Sequence, residues 1–283
     1  MVLVQPGDRF GGFVVRALLG AGGSGEVYLA EEVARGRVVS LKVLGAEESG
    51  SAAGRARFLH EFEIAAGLDH PDIVRVWGHG EVAGRLWLAA EYVEGVAASA
   101  LAPALHDSRD LAVVLKVLAD IADALDYLHG RGVLHLDVKP ANMLVHQTDP
   151  ASVKLTDFGS ARRFDEPSGV RDGFVVASVP YAAPELLRGG RLGPATDQYA
   201  LACSAVELLS GRPPFPGSSR YAIARAQVSA EPPDVSRRQH WIPHAVASIL
   251  DKSLAKDSRA RYGSCAEPIR LIGHALRDID PSG

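Results

Sequence analysis

The chain has 283 residues, a formal net charge of −4, 47% apolar and 23% charged residues, a composition that supports a sizeable globular core. Mild acidity argues against a broad nucleic-acid surface, and the longer stretches free of Asp, Glu, Lys and Arg, such as 95–106 and 239–250, fall short of the roughly 18 residues a membrane span needs. Cys203 and Cys265 are the two cysteines and have no metal-type Cys/His spacing, so zinc and a disulfide framework are not expected.

In chain order, residues 13–19 (FVVRALL) are apolar and β-branched. A glycine cluster follows, then the alternating EVYLAEEV, a turn at Arg35–Arg37, and VVSLKVL. The pattern predicts three antiparallel strands. Residues 47–55 are polar, with Gly and Ser, and read as a loop. Phe58, Phe62, Ala65 and Leu68 then stand at helical spacing, and a second hairpin is expected around Val82–Gly84. The first part of the chain thus reads as a small antiparallel sheet with one main helix.

Further on the character changes. Leu111, Leu115, Leu118, Ala122, Leu125 and Leu128 fall three or four apart, with Gly130 placed to end that helix. Short strands fit at 133–135, 143–145 and 153–156. Helices fit at 195–210, closed by Gly211, and then at 219–228, 243–254 and 264–278. The fold class is α+β. The expected domains are an extension (1–11), a β-rich lobe (12–93), a larger, mainly helical lobe (94–279) and a tail (280–283), with ligands at a cleft between lobes. The N-terminus lacks a basic start followed by an apolar run, so the chain is read as cytoplasmic, with no membrane span and no nucleic-acid partner. Its oligomeric state is not legible.

Gly20, Gly22 and Gly25 make a G-x-G-x-x-G. With 29 glycines in the chain, that spacing alone carries little weight. Context adds more: a strand pattern follows the glycines, where a dinucleotide-binding loop needs a helix. Backbone N–H groups at glycine can approach phosphates because no Cβ intervenes. Further elements follow in one order. Lys42 ends V-S-L-K and Glu61 lies on the next helix; H-L-D-V-K-P-A-N carries His135, Asp137, Lys139 and Asn142. D-F-G carries Asp157, A-P-E carries Glu185, and K-D-S-R-A-R carries Arg261. So many specified positions in order do not arise from composition.

On these motifs the chain resembles the Hanks-type (eukaryotic-like) protein kinases, in particular their bacterial serine/threonine branch, from about Phe13 to Leu276. The resemblance implies the two-lobed protein-kinase fold, ATP as phosphoryl donor, Mg²⁺ (with Mn²⁺ as a substitute ion) and a protein substrate with a Ser/Thr acceptor. Phosphoryl transfer is mostly positioning and electrostatic stabilisation, and the residue types suit that. Lys42, fixed by Glu61, holds the α- and β-phosphates, while Asn142 and Asp157 are hard oxygen ligands for the ion. Asp137 orients the acceptor hydroxyl, and Lys139, whose D-V-K-P-A-N setting is of serine/threonine type, faces the γ-phosphate. Leu19, Val27, Ser40 and Leu144 border the adenine, with Ala90 behind it and the backbone from Glu91 to Val93 along its edge. Ser178 stands at the substrate-side hydroxyl position. Asp197 braces the catalytic loop, and Glu185 pairs with Arg261.

Some positions depart from the family pattern. Leu136 replaces the arginine that receives an activation-segment phosphate, a task that needs a guanidinium. This predicts activity without phosphorylation of Ser168 or its neighbours, unless Arg162 or Arg163 takes over. The small Ala90 predicts room for bulky adenine analogues. Ala65 predicts a thinly packed helix and a Lys42–Glu61 pair that fluctuates. Two other readings remain open from the residues: a nucleotide-binding pseudokinase scaffold, and a phosphotransferase acting on small molecules.

Overall fold

The computed structural model describes residues 4–22, 25–101, 107–148, 152–166 and 178–281; Ser168 lies outside them. The chain divides into two compact units, with the boundary between Glu94 and Gly95.

The first unit is a six-stranded antiparallel sheet in the order β1-β2-β3-β4-β6-β5. Its strands are β1 (Arg9–Phe10), β2 (Phe13–Gly22), β3 (Gly25–Glu32), β4 (Arg37–Leu44), β5 (Val76–Val82) and β6 (Arg85–Glu91). Alternation sorts the side chains. Phe13, Val15, Tyr28, Ala30, Val39, Leu41 and Val43 enter one core cluster with Val4 and Phe10. Each such buried Val, Leu or Phe side chain contributes about 1.5–3 kcal/mol. The β5–β6 hairpin turns at Ala83 and Gly84, both with positive φ, the two-residue turn that matches strand twist.

The stretch 47–55, expected as a loop, is helical. It holds α1 (Ala46–Gly50) and the start of α2 (Ala52–Ala66), joined at Ser51. The Ser51 hydroxyl accepts from Gly54 N at 2.9 Å, capping the second helix. A Cβ on Gly54 would lie 2.1 Å from the Glu48 carbonyl oxygen. The polar composition that suggested a loop is therefore a cap and a close backbone approach.

In the second unit, α3 (Ser108–Gly130) buries Leu111, Val114, Leu118, Ile121, Leu125 and Leu128. It packs against α5 (Pro194–Ser210) and α9 (Ala266–Ala275). Gly130 is its last helical residue, as expected, and a left-handed turn follows at Gly132 (φ 72). Small antiparallel sheets join β7 (Gly95–Ala97), β9 (Met143–His146) and β10 (Val153–Leu155), and pair β8 (Val133–Leu134) with β11 (Arg162–Arg163). Helix α4 (Pro184–Leu187) precedes α5, and α6 (Arg220–Ser229), α7 (Val235–Arg238) and α8 (His244–Ser253) follow it. Helix α5 is buried along nearly its whole length and ends at Gly211, which has φ 80, the left-handed cap that glycine favours. No helix among the described residues is long and apolar enough to cross a membrane. The fold is mixed α and β: an antiparallel sheet unit and a mainly helical unit.

Candidate active site

In the sheet unit, register decides which side chains share a face. Val27 pairs with Lys42 and Lys42 with Leu88; Leu29 pairs with Ser40 and Ser40 with Ala90. Directly opposed residues of antiparallel strands point the same way. Val27, Ser40, Lys42 and Ala90 therefore share the face opposite Val39, Leu41 and Val43. A register shift between Leu18 and Gly20 leaves Leu19 outside the ladder, with its side chain exposed. Lys42 Nζ donates to both oxygens of Glu61 on α2, at 2.7 and 2.9 Å. The pair is closed despite the small Ala65, which is itself buried.

The glycines divide into two kinds. Gly25 has φ +146, and a Cβ there would lie 2.2 Å from the Val43 carbonyl oxygen, so the fold itself demands glycine. A Cβ on Gly20 or Gly22 would meet nothing within 4 Å. Internal packing gives no reason for glycine at those two positions, and the open backbone there fits a phosphate cradle. The β6 ladder ends at Glu91, whose N–H donates to the Arg75 carbonyl at 2.8 Å. Tyr92 and Val93 run on outside any strand.

In the helical unit, residues 135–142 are organised around Asp197 of α5, a carboxylate with no exposure. Its Oδ2 accepts from His135 N at 2.9 Å, its Oδ1 accepts from Leu136 N at 2.8 Å, and His129 Nε2 of α3 lies 2.8 Å from Oδ2. Burial pushes this carboxyl up, but the hydrogen bond and charge of His129 and the His135 donor outweigh it and leave the pKa below its ordinary value. The two converging N–H groups require a sharp turn, and Leu136 takes φ 63 to make it, a conformation that costs a β-carbon residue about 1–2 kcal/mol.

The chemistry-bearing side chains follow that turn. Asp137 Oδ2 accepts from Lys139 Nζ at 2.6 Å and from Asn142 Nδ2 at 3.1 Å. Lys139 Nζ also donates to Ser178 Oγ at 2.8 Å. Asp137 Oδ1 is buried and has no hydrogen-bond partner among the described residues. The imidazole of His135, fully buried, has Nε2 3.2 Å from the Thr156 carbonyl and accepts from Asp137 N at Nδ1 (3.3 Å), and its ring meets Phe158 edge-on at 5.1 Å. Thr156 N donates to the Asn142 carbonyl at 3.0 Å, which brings the start of the D-F-G segment to the catalytic loop. Asp157 is exposed and has φ 68. Leu144, on β9, pairs with Lys154 and Ala97.

This donor set fits a hard divalent cation. Asn142 commits its nitrogen to Asp137, so its side-chain oxygen is the atom it has to offer. The Asp157 carboxylate is open to solvent. Oxygen-rich, partly open sites of this kind suit Mg²⁺. A different group, Asp126, His129 and Cys265, also clusters. There both Asp126 oxygens accept from the backbone N–H groups of Cys265 and Ala266, at 2.8 and 3.0 Å, which makes it a helix cap. The two thiols are buried and unpaired; burial pushes Cys203 up to about 12 and Cys265 well above its ordinary value.

Glu185 and Arg261 form a bidentate pair, at 2.8 and 2.9 Å, with the guanidinium fully enclosed. Sequence reasoning missed His129 and Gln227. His129 sits in an ordinary run of α3, and the Gln227 nitrogen bonds backbone carbonyls, which leave no mark in the sequence.

The chain matches the protein kinase domain model over residues 13–270. It is 40% identical over 276 residues to the serine/threonine-protein kinase PknF of Mycobacterium tuberculosis, a match covering 95% of this chain and 57% of that protein. It is 40% identical over 277 residues to PknJ of the same species, covering 96% and 47% respectively. The chain thus spans about half the length of the curated relatives it matches. The crystal structure of the Mycobacterium tuberculosis PknI kinase domain superposes with a TM-score of 0.75 at 34% identity, covering 96% of this chain and 99% of that one. With its fold and its sequence matching over nearly the whole length, the chain belongs to the protein kinase family.

Proposed function

We propose that the chain is a serine/threonine kinase that transfers the γ-phosphate of ATP to a Ser or Thr hydroxyl of a protein, with Mg²⁺ as the working ion and Mn²⁺ as a substitute, in the cytoplasm. The observation that carries this reading is the state of Asp137. One oxygen is committed to Lys139 and Asn142; the other is buried and lacks a donor among the described residues, a position an incoming hydroxyl fills.

In this reading the acceptor hydroxyl donates to Asp137 Oδ1 and attacks the γ-phosphorus. The new O–P bond replaces the bond to the β-phosphate oxygen, the hydroxyl proton passes to Asp137, and ADP leaves. Lys139, already bonded to Ser178, holds positive charge beside the acceptor. Lys42, oriented by Glu61, engages the α- and β-phosphates, under the open backbone of Gly20 and Gly22, with Gly25 fixing the β3 end of that loop. Leu19, Val27, Ser40, Ala90 and Leu144 border the adenine, and the backbone of Glu91 and Val93 meets its edge. Asn142 and Asp157 would hold a divalent ion, which would supply neutralisation of phosphate charge. The two buried, reduced thiols suit a reducing compartment.

Labelled ATP, magnesium and a generic protein acceptor test the reading. The chain is expected to label the protein, and Asp137→Asn and Asp157→Asn to reduce labelling by about 10²–10⁴-fold. Nucleotide binding without transfer would leave a scaffold, and labelling of small molecules alone would leave a small-molecule phosphotransferase.

We also propose that activation-segment phosphorylation is dispensable. Leu136 is buried and borders a small apolar cavity with Ala182, Ala183, Leu186 and Ala200, so apolar packing stands where a phosphate–guanidinium link would otherwise act. The rival reading has its own support: Arg162, Arg163 and Arg191 border a cavity of about 180 Å³. Phosphatase-treated protein and Ser168→Ala are expected to keep full activity. A large loss in both would favour the arginines.

A further inference from the structure

Residues 178–181 are tied down at successive points. Ser178 Oγ accepts from Lys139 (2.8 Å), and Tyr181 OH donates to Glu207 Oε2 of α5 (2.5 Å). The middle is held from α6. Gln227, a side chain with no exposure, donates through Nε2 to the Pro180 carbonyl at 2.5 Å and to the Val179 carbonyl at 3.4 Å. Its Oε1 accepts from Tyr199 OH at 2.6 Å. Tyr199, fully buried on α5, in turn accepts from Lys256 Nζ at 3.2 Å.

A buried amide is costly unless both ends are satisfied. Here both are, and each in one sense only. The Tyr199 hydroxyl, whose oxygen accepts a hydrogen bond from Lys256, presents its own hydrogen to the amide oxygen. That fixes the amide nitrogen toward the two carbonyls. A methionine of similar size would fill the space but leave the Pro180 carbonyl and the Tyr199 hydroxyl without these partners. A glutamate would set an acceptor against two acceptors. The packing alone does not require glutamine; the orientation of the 179–180 backbone does.

We propose that Gln227 is a positioning residue for the phosphoryl acceptor: by gripping the Val179 and Pro180 carbonyls, it keeps Ser178 on the Lys139 ammonium and fixes the strip of backbone beside Asp137 on which the acceptor chain rests. This inference rests on the kinase reading above. Gln227 touches no reacting atom and makes no bond in the sheet unit among its described contacts, so its loss reaches acceptor handling and spares nucleotide handling.

The test is steady-state kinetics of Gln227→Met and Gln227→Glu with myelin basic protein as acceptor, alongside ATP hydrolysis measured without acceptor. The expected result is a rise of about 10-fold in acceptor KM, with ATP KM and acceptor-free hydrolysis unchanged. Tyr199→Phe removes the hydroxyl that orients the amide but keeps Gln227; it is expected to raise acceptor KM in the same direction by about 3-fold, and it decides the matter if the Gln227 variants do not fold. Unchanged acceptor KM in the folded variants, or a parallel rise in ATP KM, overturns the inference while leaving the kinase reading intact. Failure of the unaltered chain to label the acceptor overturns both.

Discussion

The ammonium of Lys256 lies 4.2 Å from the centre of the Phe215 ring, and burial lowers its pKa from the ordinary 10.5 to about 8. Cys203 pulls it up; Arg261 and Arg188 push it further down. The folded chain therefore releases this proton before the unfolded chain does. Between about pH 8 and 10.5 the unfolded state binds more protons, so stability rises with pH in that window. Below pH 8 the cost of the buried charge is fully present. The raised thiols of Cys203 and Cys265 act in the opposite sense above about pH 9, so the measured quantity is a difference: in urea unfolding, the stability of the unaltered chain relative to Lys256→Met is expected to rise from pH 7 to 10. Identical pH dependence in the two proteins would sink the claim.

Arg261 makes bonds beyond its pair with Glu185. Its Nη1 donates to the Ala195 carbonyl at 2.7 Å and its Nε to the Ala255 carbonyl at 2.9 Å. Removing the guanidinium leaves a largely buried carboxylate alone. Arg261→Met is expected to cost about 3–5 kcal/mol in chemical denaturation, and Arg261→Lys to recover only part of that, since an ammonium cannot match the bidentate fork.

Gly54 and Gly50 offer a matched comparison. A Cβ on Gly54 meets the Glu48 carbonyl, whereas one on Gly50 meets nothing within 4 Å. Gly54→Ala is expected to destabilise by about 1–3 kcal/mol, and Gly50→Ala to stay within about 0.5 kcal/mol. Equal thermal shifts in the two variants would contradict the contact.

Ala90 shares its sheet face with Ser40 and Lys42. On the proposed adenine site, the unaltered chain accepts an ATP analogue with a benzyl group on the exocyclic nitrogen. Ala90→Met is expected to cut kcat/KM for that analogue by about 10²-fold while sparing ATP. Equal use by both proteins would remove the extra room.

Much of this was legible because period and sequence order carry it. Alternation in EVYLAEEV marked a strand beside the one that carries Lys42, and the three-and-four spacing of leucines located α3. The helix stop at Gly130 was read correctly, and the left-handed turn that follows falls on the next glycine, Gly132. The α1–α2 junction was hidden because serine and glycine mark loops and helix caps alike. Gln227 was invisible for a different reason. Two of its partners are main-chain carbonyls, which any residue supplies, and another is a tyrosine 28 positions away in sequence.

The depth of the two thiols bears on how this kinase could be targeted. Cys203 and Cys265 are the chain's full complement of cysteine, both sealed in the helical unit and held protonated. Electrophilic drugs that work by trapping a cysteine thiolate have no foothold here, and mild oxidants should pass the folded domain by. A covalent ligand for it would have to be built around lysine.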